Sequence, residues 1–569
     1  MPNNAILKLF FANFFALFFL FGKAQEISKG WHLLDPEKDK VFGISLNRAY
    51  QFLKEKKKSS IPIIVAVLDS GVDTAHEDLK QVLWINKKEI AGNGIDDDKN
   101  GYVDDMYGWN FLGNKDGRCV KKCSDERSRV YYRFKDKFMQ SPLDSSNWGM
   151  LEKEQFRIWR KAAAELQNSS DEDIELVYLQ TLLKALKRHE KALQLEMNKD
   201  TFSIAELEKH EAKNRPAKDA KLAFLGIVQI LEIDTEQTNI SILAELQEEI
   251  ERKQALIEAR ENAPVDYRKE IVQDNYTDLN DRFYGNNNVL GLNPMHGTHV
   301  AGIIAATRGN DIGIDGVADN VRIMALRVVP DGDEYDKDIA LAIRYAVDNG
   351  AKVINMSFGK SFSPDKPWVD SAVSYAAQKD VLIIHAAGNE AADIDIKENY
   401  PNPYFLLSKK KAENFITVGA SSDINIDGGL IANFSNYGIK TVDVFAPGVK
   451  IYSTMPGGNQ YANQQGTSMA APVVSGLAAL IRSYYPQLKA IEVKEIIEQS
   501  VYKPNPELTS ILPGSKSTKV NLQEVSVYGG IVNAYFAVLK AENFKNPATS
   551  SVKIFHSFPI NNTQPTNKK

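Results

Sequence analysis

Apolar residues along this chain follow two different periods, and the change between them divides it. Residues 61–68 run Ile-Pro-Ile-Ile-Val-Ala-Val-Leu without a polar break. A short β-branched run of this kind predicts a strand buried on both faces, as in a parallel sheet covered by helices. Residues 381–384 repeat the pattern and lead into a Gly388-Asn389 turn. Small or apolar residues fill 297–307 and 473–485, which predict two closely packed helices. Between Leu112 and Phe283 the composition shifts to Glu, Lys, Leu and Ala. There Leu176, Leu179, Leu183, Leu186 and Leu193, and again Leu246, Ile250 and Ile257, recur at three- and four-residue multiples, the period of an amphipathic helix. Ser203 and Glu206 have capping-box spacing, while Pro216 and the cluster at 168–170 mark breaks. The pattern predicts an α/β fold, doubly wound on a mostly parallel sheet, with an inserted α-helical bundle of four or five antiparallel helices.

The ends of the chain add two segments. Residues 5–22 form an apolar run interrupted only by Lys8 and Asn13, and small and polar residues follow it. This reads as a cleaved signal peptide over 1–24, the alternative being an uncleaved anchor near the short limit for a membrane span. No other segment is long and apolar enough to span a bilayer, and no Cys near the cleavage point suggests a lipid anchor. Residues 546–569, rich in Asn, Thr, Pro and Lys, read as a disordered tail. The expected division is therefore 1–24 signal peptide, 25–115 and 284–545 the two parts of a catalytic domain, 116–283 the insertion, and 546–569 the tail. The expected location is outside a bacterial cell or in its periplasm or envelope.

Composition is that of a globular protein, and a formal charge of −5 over 569 residues argues against a nucleic-acid partner. Cys119 and Cys123 are the only cysteines. Two thiols are too few for structural zinc, but in an oxidising compartment they could close a small disulfide loop.

The candidate chemistry sits in four short runs. Asp69 follows the first buried strand, and in open α/β sheets ligands bind at the carboxyl ends of strands. Taken alone, it would read as a strand-to-helix cap. His296 opens the small-residue helix, whose close packing would hold an imidazole rigidly enough for a general base. His299, three residues on, suits a packed structural role, since no third metal ligand stands at helical spacing. Ser468 lies in Gly466-Thr467-Ser468-Met469-Ala470-Ala471-Pro472 at a helix start. Free N–H groups and the helix dipole there can stabilise a developing oxyanion. The Asn389 amide could donate to the same oxyanion, or Asn389 could be a left-handed turn residue. Acid, base and nucleophile thus come in the chain order Asp, His, Ser, one of several orders in which such triads occur.

With these motifs the chain resembles the subtilisin-like serine proteases, the subtilases. The resemblance is carried by residues 67–73 (Val-Leu-Asp-Ser-Gly-Val-Asp), 296–302 (His-Gly-Thr-His-Val-Ala-Gly), 386–389 and 466–472, and it extends over roughly 40–115 and 284–540. It implies a subtilisin-like fold and an endopeptidase that works through an acyl-enzyme intermediate with no cofactor for its chemistry. Asp69 would orient the imidazolium, His296 act as base and Ser468 as nucleophile, with Asn389 and the Ser468 N–H as oxyanion hole. Asn355-Met356-Ser357-Phe358-Gly359 resembles the strand that pairs with substrate backbone and walls the primary pocket. Ser357, Phe358, Gly359 and Gly388 are the candidate substrate-binding residues. They suggest a glycine-lined pocket for a large uncharged side chain, whereas Glu390 at the rim could instead recruit a basic one.

Three departures from the family pattern follow. His296 stands 227 positions after Asp69, where subtilases hold a few tens of residues. The insertion could be a lid, a docking module for a protein partner, a substitute for a prodomain, or a solvated decoration. Replacing 125–275 by a short linker is expected to leave a folded catalytic domain, because loop closure depends weakly on length. Only 45 positions separate residue 24 from Asp69, too few for the usual prodomain. Finally, Asp96-x-Asp98-x-Asn100-Gly101-x-x-Asp104 copies the first nine positions of an EF-hand loop, but Tyr107 stands where the twelfth-position Glu belongs. Asp96, Asp98, Asn100 and Asp104, with Asp105 as substitute, are candidate ligands for a structural Ca²⁺. The competing functions are a catalytically silent scaffold and a structural surface protein, which the intact set of motifs disfavours.

Overall fold

The computed structural model describes residues 28–139, 146–167, 170–231, 233, 235 and 237–544. The expected signal peptide at 1–24 and the expected tail at 546–569 lie outside them.

Seven parallel strands form the central sheet: β1 (Ile63–Asp69), β2 (Gly108–Asn110), β3 (Val321–Arg327), β4 (Val353–Met356), β5 (Leu382–Ala386), β6 (Phe415–Ser421) and β7 (Val444–Pro447), in the order β2-β3-β1-β4-β5-β6-β7. Alternate residues of the central strands feed two separate cores, as the two-residue period of a strand requires. Val65 and Val67 face a core shared with the helices Met295–Ala305 and Thr467–Tyr484, whereas Ala66 and Leu68 face one shared with Asp336–Asp348 and Lys366–Gln378. Burial on both faces explains why the strands read as unbroken apolar runs. β1 lies between β3 on one side and β4 on the other, where the strand order reverses. The carboxyl end of β1 is therefore where a crevice opens.

The stretch 116–283 is not a single bundle. Helices α1 (Glu126–Phe138) and α2 (Met150–Gln167) share an aromatic core of Val130, Phe134, Phe138, Ile158 and Trp159 with Phe362 of the sheet domain. The next four helices, α3 (Ser170–Met197), α4 (Ile204–Lys209), α5 (Arg215–Ile230) and α6 (Asn239–Glu258), close a core of their own that includes Leu183, Leu186, Leu193, Phe224 and Ile250. The Ser203–Glu206 capping box starts α4, and Pro216 sits in the first turn of α5 rather than between helices. Past α6, the chain returns into the sheet domain. There the buried Arg268 guanidinium binds Asp338 (2.6 and 2.9 Å) and Asp274 (2.8 and 2.9 Å), and the Lys337 ammonium also reaches Asp274 (2.6 Å).

This corrects the expected linker replacement. Residues 125–275 include Glu126, Arg133 and Arg268, whose charges pair with residues of the sheet domain. Only about 170–258 carries a separate core. Of the two states the sequence left open for Cys119 and Cys123, the structure has the free thiols. Asn110 donates to the Cys119 sulfur and Arg129 to that of Cys123, so each thiol has its own partner. Among the described residues, no helix is long and apolar enough to cross a membrane.

Candidate active site

Asp69 ends β1 and is buried, with a side chain only 1% exposed. Its Oδ1 accepts from His296 Nδ1 at 2.8 Å and from the Ser70 N–H at 2.7 Å. His296 is the second residue of α7 (Met295–Ala305), and its side chain is 35% exposed, so one edge of the ring meets solvent. Burial works to lower the His296 pKa, but the Asp69 carboxylate and its hydrogen bond outweigh it and hold the imidazole above its ordinary value of 6.5. His299 differs. It is fully buried, its Nε2 contacts the Ala462 carbonyl at 3.1 Å, and burial pushes its pKa down to about 3. It is a neutral packing residue, as its position suggests.

Ser468 is the second residue of α8 (Thr467–Tyr484). Its hydroxyl donates to the Ser357 carbonyl at 3.0 Å rather than to His296, and the Ser357 hydroxyl donates back to the Ser468 carbonyl at 2.9 Å. Pro472 explains why that carbonyl is free. Four residues after Ser468, it lacks the N–H that would otherwise bond there. Pro472 stands at the sixth helical residue, deeper than a first-turn proline, and its missing donor ties the helix to the chain leaving β4.

The Ser468 N–H carries no hydrogen bond among the described residues and lies in the first turn of its helix, where backbone donors are free. Asn389 stands beside it. Its Oδ1 accepts from the Thr467 N–H (2.9 Å) and the Thr467 hydroxyl (3.0 Å), and this leaves Nδ2 free to donate. The Thr467 hydroxyl also accepts from the Gly388 N–H at 3.0 Å. Thr467 thus sets which end of the Asn389 amide faces the site, a role invisible in a Gly-Thr-Ser string that reads equally well as a helix cap. Gly466 has φ +148°, and a Cβ there would lie 3.3 Å from Asn389 Nδ2 and 3.6 Å from the Ser468 nitrogen. Glycine keeps the space between the two donors open.

The candidate pocket residues lie on both sides of this centre. The Phe358 carbonyl accepts from His385 Nε2 at 2.8 Å, and Gly359 is exposed. Asn399 Nδ2 donates to the Ala387 carbonyl at 2.9 Å, and its Oδ1 would stand 2.7 Å from a Cβ at Gly359. Asn399 therefore bridges the two glycine-bearing walls. Asn436 donates to Glu390 Oε2 at 2.5 Å, which draws this carboxylate toward a neutral partner.

In the acidic loop, Asp96 accepts from the N–H groups of Asn100 (3.1 Å) and Gly101 (2.8 Å), and Asp98 from that of Asn100 (3.1 Å). Carboxylate oxygens of Asp96, Asp98 and Glu89 lie within 4.8 Å of one another. Glu89, outside the motif, is a residue the spacing does not reveal. Asp104 turns the other way, accepting from the Asn93 and Gly94 N–H groups at 3.2 and 2.9 Å. Asn100 Nδ2 and the Tyr345 hydroxyl donate to Asp105, and burial raises its pKa to about 6.

The Subtilase family profile matches residues 61–529. The chain is 44% identical over 209 residues to the "Thermophilic serine proteinase" of Bacillus sp. (strain AK1), covering 37% of this chain and 47% of that protein. It is 36% identical over 241 residues to "Subtilisin BL" of Lederbergia lenta, covering 42% and 76% respectively. Its similarity to the "Cell wall-associated protease" of Bacillus subtilis (strain 168) is 37% over 225 residues, covering 39% of this chain and 23% of that protein. The chain thus spans about half the length of the first of these relatives.

Proposed function

The chain belongs to the subtilase family, and on that premise we propose that it is a serine-type endopeptidase whose triad is Asp69, His296 and Ser468. The observation that carries this is the 2.8 Å Asp69–His296 bond at the carboxyl end of β1, together with a Ser468 N–H left unengaged among the described residues. For reaction the Ser468 hydroxyl turns from the Ser357 carbonyl to His296 Nε2. Its oxygen attacks the scissile carbonyl as His296 takes the proton, and Asp69 stabilises the resulting imidazolium. Asn389 Nδ2 and the Ser468 N–H hold the oxyanion. His296 then protonates the leaving amine, the C–N bond breaks, and water hydrolyses the acyl-enzyme by the same route. Substrates are polypeptides, and no cofactor enters the chemistry. The pairing of Glu390 with Asn436 favours a pocket for an uncharged side chain.

The proposal fixes a pH dependence. The base must be neutral, so kcat/KM should fall as pH drops through the His296 pKa, which lies above 6.5. Asp69→Asn removes the charge that raises this value. It should move the midpoint to lower pH and cut kcat by about 10⁴. A pH–rate profile from about pH 5 to about pH 9 tests both. A midpoint that stays put in Asp69→Asn would separate Asp69 from the base.

We also propose a structural Ca²⁺ on Glu89, Asp96 and Asp98, whose hard oxygen donors suit that ion. Binding to the native state alone stabilises it by about 2.7 kcal/mol at a hundredfold excess over Kd. EGTA should therefore lower Tm, and Glu89→Gln should abolish that response. An unchanged melting curve in EGTA counts against the ion. Export by a bacterium on the residue 1–24 leader completes the reading, supported by the bacterial relatives.

A further inference from the structure

The crevice lies between the chain leaving β3 and the chain leaving β4. One end holds His296 and Ser468. At the other end the two walls are tied together by side chains, several of them from the insertion.

On the β4 side, Ser357 is bound to Ser468, and two residues further Gly359 is exposed, with neither its N–H nor its carbonyl hydrogen-bonded among the described residues. The next residue closes off this free edge. The Lys360 backbone pairs with Tyr400 (both bonds 2.9 Å), and its fully buried ammonium crosses to the Glu334 carbonyl (2.6 Å), Glu126 (2.8 Å) and Asp336 (2.8 Å). The β3 wall is engaged at several points, although the Gly332 carbonyl and the Glu334 N–H carry no hydrogen bond among the described residues. The Asp331 N–H donates to the Lys121 carbonyl (2.8 Å), and its carbonyl accepts from the Cys123 N–H (2.7 Å). Gly332, at φ +123°, lets the backbones touch, since a Cβ there would lie 2.1 Å from the Cys123 carbonyl oxygen. Arg129 of α1 donates to the carbonyls of Asp333 (2.9 Å) and Glu334 (3.2 Å) and stacks 4.1 Å from the Tyr335 ring.

The leaving amine takes its proton from His296, so the acyl half of a substrate lies on the side of Ser468 away from His296, along Ser357–Gly359. We infer that the start of the insertion closes this half of the crevice beyond Gly359, so that a substrate is held there for about three residues before the scissile bond. The carbonyls of Asp331, Asp333 and Glu334 on the opposite wall already have donors. A longer substrate must turn out of the crevice at Lys360 and gains no contact by its length. This rests on the protease reading and adds a role for α1 as a fixed boundary of the substrate site.

The test uses the full chain and N-acetylated peptide p-nitroanilides with one to six residues before the leaving group. Between one and three residues kcat/KM should rise about tenfold or more, and between three and six it should change by less than about twofold. A further gain of about tenfold between three and six would overturn the inference and leave the protease reading standing. Failure to hydrolyse any member would overturn both. In Arg129→Ala, which frees the Asp333 carbonyl and leaves the Glu334 carbonyl with Lys360 alone, a gain of about threefold between three and six should appear, in KM rather than kcat. A flat profile in that folded variant would take the boundary away from the insertion.

Discussion

Ser468→Ala and His296→Ala are each expected to abolish peptide hydrolysis, with losses in kcat on the order of 10⁶, while melting as the parent protein does. The size follows from the unit character of a triad: with either member gone, the proton and the nucleophile can no longer be exchanged, and single losses approach the combined one. Folding should survive because both side chains are partly exposed, and among the described residues the His296 ring bonds to Asp69 alone. Asn389→Ala should lose less, roughly 10²–10³. It removes one of two oxyanion donors, and the Ser468 N–H remains. Turnover assays paired with thermal melts check all three, and near-parental activity in Ser468→Ala would overturn the nucleophile assignment.

The second large effect concerns the insertion. Replacing 170–258 by a flexible linker is expected to leave a folded, active enzyme, whereas replacing 125–275 is expected to give no folded protein. The outer helices bury their own core and meet the rest through part-exposed ion pairs such as Arg127–Glu172, Arg260–Asp173 and Lys122–Glu251. Exposed pairs are worth about 0–1 kcal/mol each. The wider cut also strips Arg133 from Asp365, Arg268 from Asp338, and Asp274 from Lys337. Leaving a buried charge without its partner costs about 3–5 kcal/mol. Two such losses approach the roughly 5–15 kcal/mol that holds a domain together. Circular dichroism and melting of the two deletions decide the matter, and a cooperative melt in the wider one would contradict this division of the insertion.

The catalytic half of this protein is legible in its sequence because each candidate residue sits where a periodic apolar run ends. β1 stops at Asp69, β5 runs into Asn389, and two close-packed helices start around His296 and Ser468. The outer bundle is legible for the same reason, its leucines falling on the face that becomes its core. What escapes is contact between segments far apart in the chain. Nothing in the string marks Lys360 as the partner of Glu126, or Arg268 as the partner of Asp338, since a charged residue that pairs inside the protein looks like one that meets water. Glu89 is missed because it lies outside the ligand spacing, and Asp104 is included because it fits that spacing, although its carboxylate caps the neighbouring turn. Thr467 is missed because its hydroxyl acts on another segment, Asn389, rather than on its own helix.

The central claim is that Ser468 is a nucleophile activated by His296, and a single labelling experiment meets it directly. The full chain is treated with diisopropyl fluorophosphate, and intact mass and peptide mapping are read for the parent, Ser468→Ala and His296→Ala. One phosphoryl adduct on Ser468 in the parent, none in Ser468→Ala and a strongly slowed reaction in His296→Ala is the predicted result. An adduct on another residue, or equal labelling of all three proteins, would contradict it.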